Sequence, residues 1–222
     1  MKVLIISTHP DDETLACGGT ALRHHHAGDE TAWLIMTNVF EKEGFGPERV
    51  RSRQEEIRQV ASRLKFSKVF ELGYPTMKLD QYKTSEIIKR VSDVMHEFTP
   101  DMVYLPNRSD AHSDHRITFT SVMACTKSFR YPFLKSVLMY ECISETEFTP
   151  PLQHNAFVPN YFVDISEYID TKLDTLKIYA SELDEHPFPR SLENVKALAI
   201  HRGASCGVKY AEAFQMLKTI VK

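Results

Sequence analysis

Short apolar runs alternate with longer segments of helical period along most of the chain. Residues 2–7 hold Val3, Leu4, Ile5 and Ile6 in succession, an unbroken apolar run that predicts a strand buried on both faces. Residues 30–37, 67–72, 102–105, 136–141 and 161–165 predict further strands. Between them lie predicted helices. The first, capped by Asp12 or Thr14, runs to about His26 and ends at Gly28-Asp29. The second, 48–64, has Val50, Ile57, Val60, Ala61 and Leu64 as its apolar stripe. Residues 84–98, 116–129, 167–183 and 192–202 are helical in the same way, with turns at 73–76 and 203–208 and irregular chain at 38–47 and 142–159. Strand and helix alternate at least four times from the N-terminus. That order predicts an α/β fold: a mostly parallel sheet with helices on both faces. In such a sheet, ligands sit beyond the carboxyl ends of the strands, where the strand order reverses.

The length of 222 residues suits a single domain spanning 1–222. With 42% hydrophobic and 26% charged residues, the chain has material for one large core and is not a disordered sequence. A formal net charge of −3 gives no general attraction to nucleic acid or to anionic membranes. The four cysteines, Cys17, Cys125, Cys142 and Cys206, form no CxxC pair and read as reduced thiols of a cytoplasmic protein. The N-terminal apolar run is too short for a signal peptide, and no stretch is long enough for a transmembrane helix. No internal repeat is visible.

Chemistry concentrates in two places. His9-Pro10-Asp11-Asp12-Glu13 follows the first strand, and His112-Ser113-Asp114-His115 follows the fourth. Carboxylates packed this closely repel one another unless they share a cation or a proton. The two clusters lie roughly a hundred residues apart, yet the commonest doubly wound strand order makes the first and fourth strands neighbours. His9, Asp12 and His115 then form a three-ligand metal site with an open position for water, the arrangement of a catalytic zinc. The metal would generate hydroxide near neutral pH. Asp11 is the candidate to accept the water's proton. His112 is the candidate for protonating the leaving group and stabilising the oxyanion, with Asp114 on its other nitrogen favouring the imidazolium. A mononuclear iron oxygenase uses the same kind of ligand set, and a non-catalytic metal-binding relative would share it too. A dinucleotide-binding domain is disfavoured, because no G-x-G-x-x-G follows the first strand and acids there repel phosphate.

Arg49, Arg51 and Arg53 read as a solvated basic run, except for Arg53, which lies next to the loop after the second strand and is placed to contact the reacting group or an anionic part of a substrate. His24-His25-His26 falls at the far end of its helix and reads as solvated. Trp33 reads as core. The 38–47 loop is a lid candidate, 145–156 is a second long loop, and Glu185-His186-Pro187 is a candidate for bringing a late histidine to the site.

His9-Pro10-Asp11-Asp12-Glu13 with Ala111-His112-Ser113-Asp114-His115 resembles the paired signatures of the PIG-L/LmbE-like zinc-dependent N-deacetylases. Those enzymes include deacetylases of glycosylphosphatidylinositol, mycothiol and bacillithiol biosynthesis. The likeness extends to Arg53-Gln54-Glu55-Glu56, to Leu72-Gly73-Tyr74-Pro75 and to Arg202-Gly203 with Tyr210-Ala211-Glu212-Ala213-Phe214. It implies a Rossmann-like three-layer sandwich with the active site at the carboxyl ends of the first and fourth strands. It implies Zn2+, or Fe2+, on His9, Asp12 and His115, with Asp11 as base and His112 paired with Asp114. It implies hydrolysis of an N-acetyl group from a 2-acetamido sugar, with a non-sugar or antibiotic-type amide as the alternative substrate. The partner is a small-molecule N-acetyl sugar, and a homo-oligomer is left open. Some members place tyrosine where this chain has Asp110, so Tyr210 or Tyr74 is the candidate replacement. Some bacillithiol-type members place an arginine where this chain has Ala111, and Arg108 lies just upstream as a substrate contact.

Overall fold

The computed structural model describes residues 1–221. Seven strands form one sheet in the order β3-β2-β1-β4-β5-β7-β6. They are β1 (Lys2–Ser7), β2 (Glu30–Asn38), β3 (Lys68–Pro75), β4 (Met102–Pro106), β5 (Ser136–Tyr140), β6 (Tyr161–Asp164) and β7 (Ala211–Thr219). The helices are α1 (Asp12–His26), α2 (Pro47–Arg63), α3 (Thr84–Phe98), α4 (Ser113–Ala124), α5 (Ile169–Leu176) and α6 (Leu192–Cys206). The pairs β3-β2, β2-β1, β1-β4 and β4-β5 are parallel. The chain winds outward from β1 to β3, then crosses back to β4 on the other side of β1. Parallel crossovers are right-handed as a rule, and the reversal accordingly puts α1 and α2 over one core and α3 and α4 over the other.

Two cores result. Val3, Ile5, Trp33 and Ile35 pack beneath α1, α2, α5 and α6, whereas Leu4, Ile6, Leu34 and Met36 pack beneath α3 and α4. The unbroken apolar run of β1 is the direct consequence of having a core on each side. Trp33 is fully buried, and its indole N–H donates to Ser7 Oγ at 2.7 Å.

The tertiary structure departs from the sequence expectation at several ends. β3 continues through residues 73–75, which the sequence reads as a turn. α4 begins at Ser113 because His112 Nδ1 accepts the Asp114 backbone N–H, capping the helix; the second motif therefore lies in a helical first turn. It ends at Ala124, short of the expected 129. The expected 167–183 helix is α5 followed by a 3-10 turn over 177–182, broken at Tyr179. α6 continues past the expected end at 202 as far as Cys206, where Gly207 closes it in the left-handed region; Gly203 lies inside the helix, where a Cβ would meet the Val208 carbonyl oxygen at 2.7 Å. The largest difference is β7. It inserts antiparallel between β5 and β6, so that edge of the sheet is mixed.

α1 carries half of the site and is pressed tightly against its neighbours. A Cβ on Gly19 would lie 2.6 Å from Ile165 Cγ2. Gly19→Ala is expected to destabilise the protein by about 1–3 kcal/mol through overpacking. Urea unfolding checks this, and an unchanged midpoint would contradict the tight approach.

Candidate active site

β1 and β4 are adjacent and parallel, so the segments after Ser7 and Pro106 leave the sheet side by side. That juxtaposition brings the two motifs together at the mouth of a cavity of about 290 Å3. His9, Asp12 and His115 each offer a ligand atom, and those atoms lie within 4.8 Å of one another. Asp12 is not the helix cap. Its Oδ2 turns back to accept the Thr8 and His9 backbone N–H groups at 2.8 and 2.9 Å. Asp11 occupies the N-cap position with φ of 142°, a strained backbone for a residue with a side chain. The Asp11 N–H is held by Glu13 Oε2 at 3.0 Å. Glu13 is itself fully buried and takes the Tyr179 hydroxyl at 3.0 Å.

A divalent cation fits this set of donors. His115 Nδ1 is hydrogen-bonded to Asp110 Oδ2 at 2.9 Å, while its Nε2 is buried without a hydrogen-bond partner, 3.4 Å from Asp12 Oδ2. Burial alone would lower the His115 pKa, but the Asp12 and Asp110 carboxylates outweigh it and push the value well up. Burial would raise Asp12, and the His115 and His9 imidazoles outweigh that and hold it well below the carboxylate range. The Asp12 carboxylate is therefore balanced by one positive charge on the imidazole, and a metal ion is the alternative carrier of that charge. His9, His112 and Asp114 form a second close group. There, however, Asp114 already accepts the Met77 and Leu79 backbone N–H groups at 2.7 and 3.1 Å, and His112 Nδ1 accepts the Asp114 N–H at 3.1 Å.

These contacts correct the expected pairing of His112 with Asp114. The Asp114 carboxylate binds the segment after β3 and approaches His9 Nε2 at 3.4 Å, not the His112 ring. Burial and the neighbouring His9 lower the His112 pKa to about 4, so the ring is neutral at pH 7 and not the expected imidazolium. Asp11 moves the other way. Burial and the adjacent Asp12 raise its carboxyl to about 7, against the pull of Arg190, whose Nη1 lies 3.0 Å from Asp11 Oδ2.

The expected substrate contacts fare unequally. Arg53 lines the cavity, but its guanidinium is buried and engaged, donating to the Pro10 carbonyl at 2.5 Å and to Glu182. It braces the first motif. Arg108 is exposed, donates to the His154 carbonyl and does not line the cavity. Tyr210 and Tyr74 are buried in the two cores away from it, so neither stands in for the tyrosine. Arg49 is part of the site wall, with Nη2 on Glu182 Oε1 at 2.5 Å, and not of a solvated run. His24 is half-buried, bridging Asp29 and Tyr104, again unlike a solvated run. From the 185–190 loop it is Arg190 that reaches the site, while His186 is exposed. Val39 and Phe45 of the 38–47 loop, Glu145 of the 145–156 loop and Ser144 just before it line the cavity.

Glu182, Arg190 and Asp110 escape sequence reasoning. The first two are single charges with no periodic neighbours. Asp110 had a usable signal, a carboxylate close before a histidine pair, the usual pattern for orienting a ligand imidazole.

Residues 4–126, more than half of the chain, match the PIG-L family, described as GlcNAc-PI de-N-acetylase. The chain is 27% identical over 231 residues to the diacetylchitobiose deacetylase of Thermococcus kodakarensis, covering 99% of this chain and 84% of that protein. It is 24% identical over 192 residues to a probable N-acetyl-alpha-D-glucosaminyl L-malate deacetylase 2 of Bacillus anthracis, covering 81% and 80%. The fold is shared with the N,N'-diacetylchitobiose deacetylase structure from Pyrococcus horikoshii, at a TM-score of 0.77 and 23% identity over 98% of this chain and 84% of that one. No helix among the described residues is long and apolar enough to cross a membrane.

Proposed function

The chain belongs to the PIG-L family, and from that premise we propose that it hydrolyses the N-acetyl group of a 2-acetamido sugar or related glycoconjugate, with 1–222 acting as one deacetylase domain. The reading is carried by the buried, unpartnered His115 Nε2 beside Asp12, with the Asp11 carboxylate opening onto the same cavity. The deacetylases of T. kodakarensis and B. anthracis support the sugar amide as the substrate class. The four free cysteines fit a reducing cytoplasm.

His9, Asp12 and His115 would hold a divalent ion. Zinc is the proposed ion, since two imidazoles and a carboxylate suit it, although Fe2+ accepts the same donors. When bound, such an ion lowers the pKa of a coordinated water and polarises a carbonyl oxygen. Asp11, titrating at about 7, accepts the proton of the attacking water and returns it to the amine nitrogen as the C–N bond breaks. Arg190 aims that carboxylate and limits how far its pKa rises. Because His112 Nδ1 accepts the Asp114 N–H, its ring proton sits on Nε2. From there a neutral imidazole donates a hydrogen bond to the acetyl oxygen as negative charge develops. Asp114 acts through the backbone, fixing the segment after β3 against the cavity.

Acetate release from a panel of N-acetylglucosaminyl compounds and simple non-sugar acetamides, with added zinc and with chelator, tests the proposal. Release from the sugars that chelator abolishes and zinc restores is expected. Release that survives complete metal removal would overturn the metal reading, and release from non-sugar amides alone would overturn the sugar.

A further inference from the structure

Asp12 and His115 come from separate helices, and a third segment closes behind both of them. The turn after β5, residues 142–146, reaches Asp12 directly and His115 by way of Asp110. His115 Nδ1–H donates to Asp110 Oδ2 at 2.9 Å, and Thr146 Oγ1–H donates to Asp110 Oδ1 at 2.7 Å. The Thr146 hydroxyl in turn accepts the Cys142 backbone N–H at 2.9 Å. The Cys142 thiol donates to Asp12 Oδ1 at 3.3 Å. The contacts run unbroken from one expected ligand, through Asp110, Thr146 and Cys142, to the other.

We propose that Asp110, Thr146 and Cys142 are positioning residues that set the affinity of the site for its ion. This rests on the metal reading above. Each link has a defined direction. A threonine hydroxyl has one proton, and here it points to Asp110, because a backbone N–H already fills an acceptor position on the same oxygen. Asp110 Oδ1 already accepts the Thr146 hydroxyl, and Oδ2 faces the imidazole as an acceptor, which places the His115 ring proton on Nδ1. Once an ion replaces the imidazolium proton, that tautomer leaves the Nε2 lone pair facing Asp12, where a ligand atom is needed. Asp110 is fully buried, so its charge acts on the imidazole with little screening by water. The Cys142 thiol donates to Asp12 Oδ1 at 3.3 Å and so orients the Asp12 carboxylate from the side of the turn.

The test is competition for zinc between the full-length protein and a chromogenic chelator, with thermal unfolding of each metal-free protein recorded alongside. The proteins are the wild type, Asp110→Asn, Thr146→Val and Thr146→Ser. The wild type is expected to bind one ion. Asp110→Asn should weaken binding by roughly 10–100-fold. Thr146→Val should weaken it less, and Thr146→Ser should restore it, because serine keeps the hydroxyl that valine lacks. Wild-type affinity in both Asp110→Asn and Thr146→Val overturns the inference while leaving the metal site standing. If Asp110→Asn does not fold, the contrast between Val and Ser at position 146 decides, and equal affinities there overturn it. No zinc uptake by the wild type overturns the metal reading and this inference together.

Discussion

Asp11→Asn is expected to lower the turnover of the zinc-loaded protein by about a hundred- to ten-thousand-fold, the range for loss of a positioned general base. The substitution is close to isosteric. Asparagine can still accept the Arg190 hydrogen bond that Asp11 Oδ2 now receives at 3.0 Å. The backbone N–H that anchors to Glu13 is untouched. The variant therefore keeps the motif's shape and loses only the ability to take and return a proton. One residue is assigned both transfers, so no second acid remains to rescue the amine's departure. His112, lowered to about 4, carries no spare proton near neutral pH. Zinc content should stay at the wild-type level, because Asp11 is not among the three expected ligands and its removal relieves repulsion with Asp12. Initial rates of acetate release, together with metal analysis of the same sample, measure both quantities. An Asn variant within about tenfold of wild-type turnover would mean that another group accepts the proton.

The second large effect concerns stability. Lys172→Met is expected to destabilise the folded protein by about 3–5 kcal/mol, the cost of leaving a buried charge without its partner. Lys172 and Glu212 are both buried, with Lys172 Nζ 2.6 Å from Glu212 Oε1. The ammonium also donates to the Leu15 carbonyl at 2.8 Å. Glu212 accepts the Gly19 and Thr20 backbone N–H groups at 2.9 and 2.7 Å. The cluster ties α5 and β7 to α1, the helix whose first turn holds Asp12 and Glu13. Its lysine stem crosses Gly18, where an added Cβ would meet Lys172 Cγ at 3.2 Å. Methionine keeps that apolar stem but removes the charge. Lys172→Met with Glu212→Gln should regain most of the lost stability, because no charge is then left buried. Urea unfolding of the two variants checks this. A Lys172→Met protein as stable as wild type would show that the two backbone N–H groups suffice for the Glu212 carboxylate.

Much of the fold was legible because its determinants are local. The apolar run from Val3 to Ile6 needs only its own composition to predict a strand with a core on each side, and the 84–98 helix is bounded in the structure as its periodicity predicts. The neighbouring placement of β1 and β4 followed from strand order and handedness. These two general rules needed no side-chain detail, and they were enough to bring His9 and Asp12 to His115. The segment at 211–219 was not legible as a strand. Its partners are β5 and β6, reached through antiparallel pairing, and its Glu212 faces a lysine from another helix. A charge on a strand reads as exposed until that partner is known.

The site divides in the same way. Residue identity and spacing determined by themselves which side chains could ligate a metal, because clustered acids and imidazoles repel until they share a charge. Only the tertiary structure decided what each of those groups does. The roles of Asp114 and Arg53 turned on backbone groups of Met77, Leu79 and Pro10, which lie tens of residues away in the chain. Arg190 reaches Asp11 across nearly the whole sequence. The neutrality of His112 and the raised pKa of Asp11 come from burial and from charges that the fold assembles. Burial and long-range approach are properties of the packed chain. Local pattern carries the identity of a chemical group, and the fold sets its protonation and its aim.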